Sequence, residues 1–240
     1  MSMNPKILVV GASSDIGISV TERLIKDGYH VLATHFTRNE ALNTLKDKLS
    51  QVDNRLKLFP LDVRAIDQIN QFFKQKTLLK NLQGLVYLPS IEHQISLIDL
   101  TPELLLDVYQ VNFFSAVFLY QNFAKHLILS NSPGSIVGLS SEITRFGGNL
   151  QFTYVASKNS LNMLTMVSAK EWGPYNIRVN AVSPGRIAAG ANRMREQVDP
   201  YPAPLGRYGS VSEVANTVAW LLSDQASYIT GAVIPVNGGR

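Results

Sequence analysis

Short apolar runs alternate with longer amphipathic segments along most of this chain. The short runs are rich in β-branched residues, as buried strands are, whereas apolar positions in the longer segments recur with the period of a helix. The pattern predicts strands at 7–10, 31–35, 56–61, 85–88, 135–139, 177–182 and 232–236. It predicts helices at 16–27, 40–49, 66–76, 102–129, 153–172 and 211–222.

Strands that are apolar throughout belong in a sheet that is covered on both faces. The alternation of strand and helix then predicts an α/β fold, a Rossmann-type doubly wound parallel sheet with helices on both faces. Residues 1–240 contain no linker rich in Pro, Gly or Ser and no internal repeat, so a single domain is expected. The polar stretch 188–207 breaks the alternation and contains three prolines, and we interpret it as a flap.

Composition narrows the classes of function. The net charge is +4 and the basic residues are scattered, so no nucleic-acid partner is expected. The chain has no cysteine, which excludes disulfides and thiolate chemistry, and its four histidines are dispersed, so no metal site is predicted. No apolar run approaches the ~20 residues of a membrane span, and the run at 7–10 is too short for a signal peptide. We therefore expect a cytoplasmic protein with no membrane partner.

The turn after the first predicted strand, Gly11-Ala-Ser-Ser-Asp-Ile-Gly17, has the features of a dinucleotide-binding turn. Gly11 permits a tight turn, Gly17 lets helix and strand approach each other, and the helix N-terminus attracts a pyrophosphate. Four further residues of the turn are predicted to bind the cofactor: Ser13, Ser14, Asp15 and Ile16. Helix capping is an alternative explanation for the two serines and the aspartate.

The residues after the second predicted strand favour NADP(H) over NAD(H). An acidic residue there would bind the ribose hydroxyls of NAD and repel the 2′-phosphate of NADP, and none occurs before Glu40. Arg38 is suited to pair with that phosphate, although it would equally serve as a solvated loop cation, and NAD(H) stays open. Asp62 and Val63 follow the third strand and are predicted to contact the adenine, unless Asp62 caps the next helix.

Candidate catalytic residues follow later in the chain. Tyr154 and Lys158 lie four residues apart, hence on one face of a helix, where the ammonium would favour the phenolate of a tyrosine whose usual pKa is ~10. Ser141 follows the fifth strand, at the edge where parallel strands end, and is placed to donate to a substrate carbonyl. Asn112, in an otherwise apolar helix, needs a partner and is suited to hold a water that relays protons towards Lys158.

Together these motifs resemble the short-chain dehydrogenase/reductase family over essentially the whole chain, and most closely its 3-oxoacyl-[acyl-carrier-protein] reductase branch. The resemblance implies a catalytic set made of Asn112, Ser141, Tyr154 and Lys158. It implies that the Pro184-Gly185 motif and Ile187 lie at the nicotinamide. It further implies a homotetramer formed through the two long helices and the last strand.

The chain departs from the family pattern at several positions. Asp15 stands where the family has a glycine, Tyr87-Leu-Pro-Ser90 replaces Asn-Asn-Ala-Gly, and Ala189 replaces a threonine. A carboxylate beside a pyrophosphate weakens binding unless it points away, so we expect reduced cofactor affinity. Carrier-protein reductases have an arginine where this chain has Tyr175-Asn176, which speaks against an acyl carrier protein as partner.

These residues predict an NADPH-dependent carbonyl reductase or secondary-alcohol dehydrogenase that acts on small molecules, acyl thioesters among them. Two alternatives stay open. One is a dinucleotide-binding regulator or scaffold with little turnover, which the altered cofactor positions would suit. The other is an NAD-dependent dehydrogenase of polyols or sterol-like alcohols. The substrate depends on residues 142–151 and 188–207, whose conformation no periodicity reveals.

Overall fold

The computed structural model describes residues 5–37, 39–50, 55–190, 192 and 203–240. The strands form one parallel sheet with the order β3-β2-β1-β4-β5-β6-β7. Their bounds are β1 Lys6–Val10, β2 His30–His35, β3 Leu56–Pro60, β4 Leu82–Tyr87, β5 Gly134–Leu139, β6 Ile177–Pro184 and β7 Val233–Val236. The predicted doubly wound sheet is confirmed.

Helices connect successive strands and cover both faces of the sheet. They are α1 Asp15–Lys26, α2 Glu40–Ser50, α3 Ile66–Phe73, α4 Lys76–Leu79, α5 Pro102–Tyr109, α6 Ser115–Leu129, α7 Phe152–Trp172 and α8 Val211–Leu222. A π-helical turn at Gln110–Phe114 joins α5 to α6. Short 3₁₀ turns lie at Leu97–Asp99, Glu142–Arg145, Gly173–Tyr175 and Asp224–Ala226.

The core consists of two apolar layers, one on each face of the sheet. Alternate side chains of β1 enter different layers, because successive residues of a strand point to opposite faces. Ile7 and Val9 pack with residues of α1, α2 and α8. Leu8 and Val10 pack with residues of α3, α6 and α7. From Ile7 to Val10, β1 is therefore apolar towards both faces, and short apolar runs of this kind predicted the fold.

The structure corrects three predicted elements. The helix expected at 102–129 is interrupted by the π turn, in which the N–H of Ser115 donates to the carbonyl of Gln110, five residues earlier. The helix expected at 66–76 ends at Phe73. β4 begins at Leu82 rather than at residue 85, because Gly84 interrupts the apolar run of the strand. An added β-carbon at Gly84 would lie 2.3 Å from Ile7 Cδ1, so the packing of Ile7 leaves no room for a side chain there.

β1 and β4 are neighbours, and the chain leaves them in opposite directions along the sheet. A crevice opens at the carboxyl ends of two such strands, and ligands of doubly wound folds bind there. Of the flap expected at 188–207, residues 188–190, 192 and 203–207 belong to the described part of the chain, and the others lie outside it. Within the described ranges no helix is long and apolar enough to span a membrane.

The close packing of α1 on β1 gives a first testable prediction. A β-carbon at Gly17 would lie 2.6 Å from the carbonyl oxygen of Ala12 and 2.7 Å from its Cα, contacts that only a backbone shift relieves. We expect Gly17→Ala to lower the free energy of unfolding by roughly 1–3 kcal/mol, measured by urea denaturation without ligand.

The matched control is Gly173→Ala, because no atom lies within 4 Å of a β-carbon added there. This substitution should leave the stability unchanged or raise it by up to about 1 kcal/mol. Equal losses of stability in the two variants would contradict the role of the Gly17 contact.

Candidate active site

The turn between β1 and α1 has the shape expected of a nucleotide-binding turn. Gly11 has φ +75°, a left-handed conformation that favours glycine, and an added β-carbon would lie 3.1 Å from the nitrogen of Pro89. Ser14 is the N-cap of α1, and its Oγ accepts a 3.0 Å hydrogen bond from the N–H of Gly17. Helix capping is therefore the correct local explanation for Ser14, whereas Ser13 makes no such cap and lines the neighbouring cavity.

Asp15, the residue that replaces a family glycine, contacts the start of the flap. Its Oδ2 accepts a 2.8 Å hydrogen bond from the backbone N–H of Gly190. Gly190 has φ +50°, so the flap turns sharply at this contact. The carboxylate is therefore held by the flap, and the reduced cofactor affinity expected from it stays a prediction.

A cavity of about 310 Å³ lies beyond the ends of the first four strands of the sheet. Among the predicted cofactor residues, it is lined by Gly11, Ser13, Ser14, Asp62 and Val63. Thr34, His35, Phe36, Arg64 and Ser90 also line it. Ile16 instead packs against the core, and Arg38 lies outside the described residues.

Asp62 does not cap the helix that follows it. The N-cap of α3 is Ala65, which makes no side-chain cap, and Asp62 Oδ1 accepts a 2.9 Å hydrogen bond from the N–H of Arg64. The carboxylate therefore closes a tight local turn at the end of β3. This turn holds Asp62 and Val63 against the cavity.

A second cavity, of about 600 Å³, lies at the ends of β5 and β6. Ser141, Tyr154 and Gly185 line it. Pro184 and Ile187 are buried beside it and do not line it, and Ile187 packs into the core next to Gly209. We call this space the reaction cavity, because it contains two of the four predicted catalytic side chains.

Three of those side chains converge at one place. The hydroxyl of Ser141 lies close enough to that of Tyr154 to favour the phenolate. Lys158 Nζ lies 5.6 Å from the centroid of the Tyr154 ring and donates a 2.7 Å hydrogen bond to the carbonyl oxygen of Leu139, at the end of β5. The end of β5 therefore positions both residues, because Ser141 follows the strand in the chain and the carbonyl of Leu139 binds Lys158.

The fourth residue, Asn112, is fully buried in the π turn. Its Oδ1 accepts a 2.8 Å hydrogen bond from the N–H of Ile91, and its Nδ2 donates to the carbonyl of Ile91 at 2.9 Å and to Ser157 Oγ at 3.0 Å. Ser157 in turn donates to the carbonyl of Tyr154 at 2.8 Å. The amide thus joins the loop after β4 to α7, the helix that contains Tyr154, and its hydrogen bonds go to Ile91 and Ser157 rather than to Lys158.

Burial dominates the electrostatics of the site. It raises the pKa of Tyr154, and the hydrogen bond from Ser141 offsets part of this effect. Burial also lowers the pKa of Lys158 to about 7. We had expected the ammonium to favour the phenolate, but in the protein alone the cost of burying either charge is the larger effect.

Several residues near the site were missed at the level of sequence. The Tyr87 hydroxyl bonds the carbonyl of Val111 and lies 2.7 Å from Ser115 Oγ, so it ties β4 to the π turn where the family has an asparagine. Ser90, in place of a glycine, hydrogen-bonds with the Tyr154 hydroxyl. We had interpreted both replacements only as losses. Glu142 and Arg186 also line the reaction cavity, and their positions directly after Ser141 and Gly185 were the available signal.

The buried lysine predicts an unusual dependence of stability on pH. The folded protein releases the Lys158 proton near pH 7, whereas the unfolded chain keeps it up to about the ordinary pKa of 10.5. Between these values the unfolded state binds more protons, so this residue makes the free energy of unfolding rise with pH, by at most about 1.4 kcal/mol per unit.

We expect Lys158→Met to remove this rise and to be more stable than the wild type at pH 7, because the cost of a buried ammonium is gone. The measurement is urea unfolding of both proteins between pH 7 and 9.5, with Lys125→Met, on the surface of α6, as the control. Parallel pH profiles for wild type and Lys158→Met would contradict the prediction.

Comparison with known proteins agrees with this geometry. A family model described as enoyl-(acyl carrier protein) reductase matches residues 11–240. The 3-oxoacyl-[acyl-carrier-protein] reductase FabG of Staphylococcus aureus is 31% identical over 245 residues, which cover 100% of this chain and 99% of the relative. The L-xylulose reductase of Caenorhabditis elegans is 33% identical over 246 residues, covering 98% and 94%.

A solved structure shares the same fold throughout. The 4-hydroxyisoleucine dehydrogenase complexed with NADH is 28% identical, with a TM-score of 0.86 and 98% coverage of both chains. The chain therefore belongs to the short-chain dehydrogenase/reductase family, whose oxidoreductases act on alcohol and carbonyl groups with a nicotinamide cofactor.

Proposed function

We propose that this protein is an NADPH-dependent carbonyl reductase in which Tyr154 supplies the proton. The observation that carries the proposal is that Ser141 and Tyr154 line one cavity, with Lys158 buried directly beside the phenol. A regulator with little turnover would have no need of a buried lysine, because burying its ammonium group lowers the stability of the folded protein.

The residues present fit a nicotinamide dinucleotide. Gly17 lets the first turn of α1 lie against the backbone of Ala12, in the turn that follows β1, and Asp15 accepts a hydrogen bond from Gly190. Ser13, Asp62 and Val63 would hold the adenosine end in the cavity of about 310 Å³. Pro184 and Gly185 would lie at the nicotinamide end, beside the reaction cavity.

The chemistry follows from this arrangement. A bound reduced nicotinamide supplies a hydride to the carbonyl carbon, and the carbonyl becomes a secondary alcohol. Ser141 donates a hydrogen bond to the carbonyl oxygen, where negative charge develops. The raised pKa of Tyr154 keeps the phenol protonated, and it gives its proton to that oxygen because the alkoxide formed by hydride addition is a much stronger base.

Lys158 and Asn112 would assist this proton transfer. With a pKa near 7 the lysine exchanges protons readily at neutral pH, and it lies against the tyrosine ring. Asn112 acts through Ser157, which fixes the backbone at Tyr154. We assign Asn112 a positioning role, and a water that relays protons from it to the lysine stays a prediction.

We infer NADPH as the preferred cofactor, with NADH as the alternative. β2 ends in His35, and Phe36 and Thr37 follow it, so the described residues at this end of the strand offer no carboxylate to bind ribose hydroxyls. Arg38 would pair with the 2′-phosphate. A 4-hydroxyisoleucine dehydrogenase of the same fold was solved in complex with NADH, so the fold does not decide the preference and we assign it to Arg38 alone.

We further propose small-molecule substrates and a homotetramer. Exposed apolar side chains on α5, α6 and α7 support the assembly: Leu106, Phe118, Met163, Met166 and Val167.

Tyr175-Asn176, in place of an arginine, argues against an acyl carrier protein, while a free acyl thioester stays among the substrates to test. A cytoplasmic location is also retained as a prediction.

The role of Tyr154 is tested by substitution. NADPH oxidation is followed with a panel of ketones, aldehydes and a short 3-oxoacyl thioester. We expect Tyr154→Phe to lower kcat by about a hundredfold to ten-thousandfold, because the proton donor is lost, while NADPH binding measured by fluorescence is kept.

Tyr228→Phe is the matched control, since Tyr228 is fully exposed. It should turn over substrate like the wild type. Tight NADPH binding by the wild type without turnover of any carbonyl compound would favour the regulator instead.

The cofactor preference is tested at Arg38. We expect Arg38→Ala to raise the KM for NADPH about tenfold or more and to leave the KM for NADH unchanged, because only NADPH carries the phosphate. Steady-state kinetics with both cofactors measure the effect. An unchanged KM for NADPH would show that the arginine does not bind it.

A further inference from the structure

The reaction cavity contains charged side chains that the proposed chemistry does not use. Two arginines, Arg186 and Arg240, line it together with Ser141 and Tyr154. Much of the remaining lining is polar: Glu92, Gln94, Glu142, Gln151 and Asn192. A cavity for a long acyl chain would be lined mainly by apolar side chains.

Positive charge gathers next to the catalytic serine. Glu142 follows Ser141 directly, is 6% exposed, and forms an ion pair in which Arg240 Nε lies 3.3 Å from its Oε1. Arg186 and Arg145 also act on this carboxyl electrostatically. Burial raises the pKa of Glu142, and the three guanidinium groups act on it in the opposite direction.

A second carboxylate among the described lining residues lies elsewhere in the cavity. Glu92 is exposed, lies on the loop after β4, and accepts a hydrogen bond from Gln151. It is near enough to Tyr154 to raise the pKa of that phenol. Glu92 therefore lies on the side of the tyrosine, whereas the arginines gather around Glu142.

Arg240 also has an unused donor. Its Nη1 is buried, and no described residue accepts a hydrogen bond from it. Its guanidinium is held in place by Glu142 and by the ring of Phe146, 5.9 Å from its central carbon. A buried donor without an acceptor costs free energy, and an anionic ligand would relieve that cost.

Arg186 is held in a comparable way. It lies over the ring of Tyr208, 5.9 Å from the centroid, and follows Gly185 at the end of β6. A guanidinium can offer two parallel N–H groups to a planar two-oxygen ligand. A carboxylate matches this geometry.

We propose that the substrate is a small oxo acid whose carboxylate binds Arg186 and Arg240 while its carbonyl faces Ser141 and Tyr154. This inference rests on the proposed reductase activity and names its substrate class. The oxo acid gains a hydride at carbon and the Tyr154 proton at oxygen, NADPH is oxidised to NADP⁺, and the product is the corresponding hydroxy acid.

The test compares oxo acids with their neutral methyl esters. Pyruvate, acetoacetate and levulinate are each assayed with NADPH beside the matching ester, so that only the charge of one group differs. We expect at least one acid to exceed its ester about tenfold or more in kcat/KM. Arg186→Gln should lower kcat/KM for that acid by about tenfold to a hundredfold and change the ester by less than about twofold.

Two further variants keep the test decisive. Arg240→Gln would leave Glu142 without its ion pair and is at risk of misfolding, so Arg240→Lys, which keeps the charge but loses the planar fork, is used beside it and should also weaken the acid selectively. Arg23→Gln is the control: Arg23 pairs with Asp27 on α1, outside the lining of the reaction cavity, and should behave like the wild type.

The outcomes separate this inference from the reductase proposal. Esters reduced as well as acids, or arginine variants that affect both equally, would overturn the oxo-acid substrate and leave the reductase intact. If no carbonyl compound is reduced, the reductase proposal fails. Binding is then measured by the thermal shift that β-hydroxybutyrate gives in the presence of NADP⁺. A shift that is lost in Arg186→Gln supports the anion site, and no shift in the wild type overturns it.

Discussion

The side-chain amide of Asn112 is the contact on which the arrangement of the site depends. It is fully buried, and it satisfies both backbone groups of Ile91 while it also donates to Ser157. A regular helix would present this side chain differently, and the π turn places it between two segments that are remote in sequence. The Tyr87 hydroxyl bonds the same turn from the sheet. The loop after β4, the π turn and α7 are thereby fixed relative to one another.

Burial disfavours the charged forms of both Tyr154 and Lys158, so the site does not consist of a pair of opposite charges. Tyr154 and Lys158 are both placed where their ionised forms are disfavoured, so the resting protein holds a protonated phenol beside an amine that titrates near neutral pH. The phenol therefore starts in the protonated form that reduction of a carbonyl requires. Oxidation of an alcohol would instead have to begin with the phenol ionised. The positive charge of an oxidised nicotinamide would favour this phenolate.

The fold could be predicted from the sequence because its strands are buried on both faces and carry few polar residues. The exceptions are local. The start of β4 was not predictable, because Gly84 has no side chain and contributes nothing to an apolar run. The π turn was not predictable, because it leaves the apolar pattern of its helix almost unchanged. The turn at Gly11 and the Tyr154–Lys158 pair were predictable because short fixed spacings encode them.

The remainder of the site could not be predicted, because it depends on contacts between distant parts of the chain. No spacing brings Arg240 to Glu142, or Ile91 to Asn112. Tyr87 and Ser90 were recognised as departures, but their new partners became visible only in three dimensions. The sequence identifies the altered positions, and their effect on cofactor binding stays a prediction.

The hydrogen bond between Asp15 and Gly190 has an implication for how variants of this enzyme should be interpreted. It joins the turn that begins α1 to the segment that follows β6, so neither can shift without breaking the bond or displacing the other. A glycine at position 15, the residue usual in the family, would release both segments at once. Kinetic effects at this residue will therefore combine changes on the nucleotide side with changes on the substrate side, and a change in one Michaelis constant cannot be assigned to one ligand alone.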